Sequence, residues 1–100
     1  MRKEYTHEQK LAYYKRRASD PALTTSQRRF ALGFLDGADG THAAYRYNTT
    51  DEELRVFLKK EIPRMEQANK TFRNAAWNGY GQGELSALKD LAAELKRGEK

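Results

Sequence analysis

The chain has 100 residues, 38% hydrophobic and 33% charged, with six Tyr, four Phe, one Trp, no Cys and a formal net charge of +5. That is one domain's worth of residues, and the aromatics can supply a modest core because each buries a large area. No apolar run approaches the ~20 residues of a membrane span, the start (MRKEYTHEQK) lacks a secretory signal's apolar segment, and without Cys there is neither disulfide framework nor thiolate metal site.

In chain order, Thr6-His7-Glu8-Gln9 reads as a capping box. His7, Leu11, Tyr14 and Ala18 then recur at helical spacing as an inward stripe, with Lys10, Tyr13 and Arg17 on an adjacent face. Asp20-Pro21 ends this helix, because a residue before proline is pushed out of the helical region. Thr24 to Gln27 is a second capping box. Gln27, Phe30, Ala31, Phe34, Leu35 and Ala38 follow it as the strongest amphipathic stripe in the sequence. Gly33 lies beside that stripe and lowers helix propensity by ~1 kcal/mol relative to Ala; close approach of another helix would account for it. The short connection predicts an antiparallel helical hairpin.

Residues 41–48 (THAAYRYN) fit either a short helix capped by Thr41 or an extended piece presenting Tyr45 and Tyr47, with the helix slightly preferred. Thr50-Asp51-Glu52-Glu53 again has capping-box form, with acids placed against the helix dipole. Leu54, Phe57, Leu58, Ile62 and Met65 continue that helix, and Phe72 and Ala76 keep the same face. Pro63 removes a backbone donor and clashes with the preceding turn, which predicts two helices stacked end to end. Residues 78–83 (NGYGQG) read as a glycine-rich connector with Trp77 packed beneath it. A C-terminal helix carries Leu85, Leu88, Leu91, Ala92 and Leu95 and is closed by Gly98. The expected fold is all-α: a compact bundle of five or six short helices in one domain over 1–100, frayed at 1–5, with a tail at 98–100.

Residues 79–83 superficially match a phosphate-cradling loop, but those loops follow a buried strand, and Glu84 would repel an anion. Two distant histidines, His7 and His42, without Cys fall short of the about four ligands of structural zinc. No nucleophile-elbow or kinase-type signature is present. The sequence therefore points to a binding module, with no enzymatic activity and no cofactor.

The placement of charge gives that module a direction. Residues 1–35 contain eight basic and three acidic side chains, and residues 36–100 contain eleven of each. Such asymmetry implies a polyanionic or acidic partner. Lys10, Tyr13, Lys15, Arg16, Arg17, Gln27, Arg28 and Arg29 are the candidate contacts. Cations displace counterions condensed on phosphates, and planar side chains stack on bases. The expected function is nucleic-acid binding through phosphate contacts from the N-terminal hairpin, with no membrane partner and a cytoplasmic location. A helix-turn-helix match is weak, since DPALT is longer than the usual turn and lacks its glycine. The alternative is a protein–protein adaptor or inhibitor that docks on an acidic surface. Tyr45, Arg46, Tyr47 and Tyr80 would serve as secondary contacts, because Arg and Tyr are favoured at interface hot spots. Self-association as a homodimer through exposed aromatics is a third possibility.

Overall fold

A computed structural model describes residues 6–39 and 42–97. The fold is all-α, with α1 (His7–Ala18), α2 (Thr25–Ala38), α3 (Ala43–Arg46), α4 (Asp51–Asn69) and α5 (Ala75–Arg97). The first two helices start where their Thr-x-x-Gln signatures place them. Thr6 and Thr24 accept from the backbone N–H of Gln9 and Gln27, and each Gln side chain accepts in return from the Thr backbone N–H. Thr50 caps α4 by accepting from the Glu53 N–H, but the Glu53 carboxylate takes the Thr50 hydroxyl instead of its backbone N–H. The expected Thr41 cap, the frayed residues 1–5 and the tail at 98–100 lie outside the described residues, whereas 43–46 do form the short helix.

Two expectations change. Pro63 lies inside a single helix, α4, and does not divide it. Pro63 and Lys59 both lie on the exposed side, so the Lys59 carbonyl that loses its intrahelical partner can bond water. The helix ends instead at Asn69. Phe72 therefore falls in the turn after it, 43% exposed, and does not extend the inward stripe. The second change is larger. Residues 78–83 are the second and third turns of α5, not a connector, and Trp77 is 63% exposed. Asn74 starts that helix, its side-chain oxygen accepting from the N–H groups of Ala76 and Trp77.

The glycines are there for space. No described glycine has positive φ, so conformational freedom is not what selects them. A Cβ built on Gly33 would lie 2.0 Å from the Tyr80 carbonyl oxygen, and one on Gly83 would lie 2.0 Å from that of Phe30. α2 and α5 thus touch backbone to backbone. Gly79 sits over Ser26, Gly83 over Phe30 and Ala87 over Gly37, so the two helices run parallel. Each glycine gives up ~1 kcal/mol of helix propensity; the close packing it permits offsets that loss. The reason suggested for Gly33 by its place beside the stripe is the one the fold uses.

The α1–α2 and α4–α5 pairs are antiparallel. Tyr14 of α1 stacks on Phe34 at 4.1 Å and lies 6.0 Å from Phe30, while His7 and Lys10 border the same crevice as Ala38. This is the predicted hairpin. Between α4 and α5, Asn78 Nδ2 donates to the Asn69 carbonyl at 3.0 Å and Arg55 Nη2 to that of Leu95 at 3.3 Å. Ala44, Leu54, Leu58 and Leu88 form a buried cluster between α3, α4 and α5, each leucine contributing about 1.5–3 kcal/mol. Among the described residues no helix is long and apolar enough to cross a membrane.

Candidate nucleic-acid interface

Successive helix positions turn by about 100°, so the hairpin's candidates do not all share a face. Relative to the inward stripe of Leu11, Tyr14 and Ala18, the strip of Lys10, Tyr13 and Arg17 flanks one side. Lys15 lies on the other flank and Arg16 points outward. The Arg17 guanidinium lies 5.3 Å from the Tyr13 ring centre, a cation–π contact that holds both in place. Tyr13, 45% exposed, also meets Tyr14 edge to face at 5.1 Å. Lys10 is occupied elsewhere: its ammonium is 2.9 Å from Asp90 on α5, which takes it out of a phosphate-binding set. Gln27 is partly committed as well, because its side-chain oxygen closes its own cap.

What the fold does bring together is one end of the bundle. Lys15, Arg16 and Arg17 occupy the last turn of α1, and Arg28 and Arg29 the first turns of α2. In an antiparallel hairpin these groups converge on the connecting turn. Because α5 runs parallel to α2 with Gly79 on Ser26, the start of α5 lies at that same end. So does the end of α4, with Lys70 and Arg73 in the turn between them and Arg64 one turn further back. Residues 13–30 and 63–80, which build this end, hold eight basic and two acidic side chains, against eight basic and ten acidic in the other described residues. One acid of the pole, Asp20, accepts from the Ala22 N–H. Arg64 is paired with Glu61. Among the described residues no ion pair engages Lys15, Arg16, Arg17, Arg28 or Arg29.

The secondary candidates separate. Tyr45 is half-buried against the leucine cluster, and burial, with the nearby Glu94 and Asp90 charges, pushes its phenol up. Arg46 and Tyr47 are exposed, Tyr47 to 71%, at the end of α3 and away from the cationic pole. Tyr80 donates its hydroxyl to Asp36. Its phenol is raised well above the ordinary range, first by burial and then by that bond and the adjacent carboxylates. The Tyr80 ring stands edge to face with Trp77, 6.3 Å between centres.

Sequence reasoning passed over Phe72, Trp77 and Asn69. Trp77 and Tyr80 border a groove of about 350 Å³ with Arg29 and Ala76. They also border a second of about 270 Å³ with Arg64, Met65, Asn69, Phe72 and the carboxylate residue Glu84. A signal was present, since residues 67–83 contain Lys70, Phe72, Arg73 and Trp77 and no acidic side chain. The histidines build no metal site: among the described residues no three potential ligands converge. His42 Nδ1 accepts from the Ala44 N–H at 3.2 Å, which leaves Nε2 facing Glu84 at 3.7 Å. No protein family, curated protein or solved structure matches the chain.

Proposed function

We propose that this protein is a small basic helical module that binds nucleic acid, gripping the phosphate backbone with the cations of its hairpin end. The observation that carries the reading is the pole itself, where residues 13–30 and 63–80 hold eight basic side chains, one of them paired with Glu61, against two acids. Binding there releases counterions condensed on the phosphates, with a logarithmic salt slope of about −0.9 per phosphate contacted on duplex DNA. Such contacts position a nucleic acid without reading its sequence.

Fluorescence anisotropy with labelled single-stranded and duplex DNA, run across salt, tests the proposal. Arg16→Ala with Arg17→Ala is expected to weaken binding and flatten the slope by about 2, with unchanged helical content. No binding at low salt, or binding without a salt slope, would remove the reading. The adaptor alternative draws on Arg46 and the 71% exposed Tyr47. It is favoured if the same arginine changes abolish capture of a protein partner while nucleic acid never binds.

A further inference from the structure

Trp77 is the single tryptophan of the chain and is 63% exposed, an unusual position for a side chain that is normally mostly buried. It is nonetheless held in place. The Tyr80 ring supports its edge, and Tyr80 is itself tied to Asp36 on α2. Phe72, 43% exposed, borders the same groove. Asn69 lines that groove too, only 3% exposed, and its amide Nδ2 has no hydrogen-bond partner. A buried amide donor without an acceptor is costly and calls for an explanation. On the other side of Trp77 lies Arg29, and the intervening turn carries Lys70 and Arg73.

Building on the nucleic-acid reading above, we propose that the Trp77 groove takes an unpaired base of a single strand. The base stacks on the indole, one of its carbonyl or ring-nitrogen acceptors meets the Asn69 amide, and the flanking phosphates lie against Arg29 and the Lys70–Arg73 turn. The aromatic, amide and cationic parts of the groove each match one part of a nucleotide, and Glu84, which also lines it, keeps the phosphates to the Arg29 and Lys70–Arg73 side. The aromatic surface is tolerant of any base, since all have a π-face, and an amide can bond a base edge once the base is unpaired. The cationic rim complements the backbone. An apolar protein segment would use the aromatics but leave this rim without partners. In duplex DNA the base faces are already stacked, so the groove distinguishes single strands from duplexes.

The full chain is titrated with an oligo-dT strand and with an oligo-dA·dT duplex, following both label anisotropy and Trp77 emission. Oligo-dT is expected to quench the emission in step with the anisotropy change, and the duplex to leave it nearly unchanged. Trp77→Ala should weaken oligo-dT binding about tenfold and barely alter duplex binding, and Trp77→Phe should recover most of the loss. Oligo-dT that binds by anisotropy without quenching, and with equal affinity for Trp77→Ala, overturns the groove proposal and leaves the hairpin reading standing. Binding of neither nucleic acid at low salt overturns both. Quenching by a poly-glutamate peptide but not by oligo-dT assigns the groove to a protein partner and also overturns the proposal.

Discussion

Gly83→Ala probes the contact on which the bundle depends. On an open helix the change would stabilise by ~1 kcal/mol, because alanine restores helix propensity. Here the new Cβ would stand 2.0 Å from the Phe30 carbonyl oxygen, 2.7 Å from the Phe34 nitrogen and 2.9 Å from the Phe30 carbonyl carbon. All three are backbone atoms, so no side chain can swing aside. Reaching ordinary contact requires α2 and α5 to part by about 1.4 Å at this point, which loosens the Gly33–Tyr80 and Gly79–Ser26 contacts on either side. Overpacking of a tight interior costs about 1–3 kcal/mol, more where the backbone must move. Because only backbone can yield here, the cost lies at the upper end of that range, and with the propensity gain subtracted the net loss is about 2 kcal/mol. At about 4–8 °C per kcal/mol for a domain of this size, Tm falls by about 8–16 °C. Thermal melts followed by far-UV circular dichroism provide the measurement, with Gly37→Ala as the control. A Cβ at Gly37 would stand 2.9 Å from the Ala87 Cβ and 3.0 Å from the Glu84 carbonyl oxygen, a shift of tenths of an ångström near the end of α2. Its net effect is expected within about 1 kcal/mol of zero. A Gly83→Ala protein as stable as wild type would refute the backbone-to-backbone crossing.

Further outcomes concern charge and pH. Lys10→Ala should cost only about 0.2–1 kcal/mol, because its pair with Asp90 is 31% and 40% exposed at the two side chains. It should also spare nucleic-acid affinity, and a loss as large as that of Arg16→Ala with Arg17→Ala would show that the cationic end has been drawn in the wrong place. Tyr80 governs stability at high pH: its folded phenol is raised above the ordinary 10.0, so its contribution is complete below pH 10 and is lost as pH climbs toward the folded value. Tyr14 and Tyr45, both raised chiefly by burial, act in the same sense. Its signature is therefore the difference between wild type and Tyr80→Phe in denaturant midpoints across alkaline pH. The variant is expected to lose about 0.5–1 kcal/mol at neutral pH with its hydrogen bond to Asp36 and to show the shallower alkaline decline. Parallel curves would refute this account.

Local signals in the sequence determined the helices and most of their starts. The Thr-x-x-Gln boxes fixed where α1 and α2 begin, since a cap needs only residues three positions apart. The apolar spacing of Ala31 and Phe34, and of Leu54 and Leu58, marked the buried faces for the same reason. Glycines between 79 and 83 misled, because in isolation they favour a turn. Only the backbone of α2, some fifty residues away, makes them the residues that α5 requires. Trp77 was misplaced with them, since its exposure follows from which side of α5 meets α2. The sequence also held the excess charge of residues 1–35, but not its shape. Pairing Lys10 with Asp90 removed one cation from the set, and the parallel packing of α5 on α2 brought Lys70 and Arg73 to the hairpin's end. Capping and periodicity act over a few residues and are legible in order along the chain. A charged pole with an aromatic groove depends on which helices touch, and packing decided that.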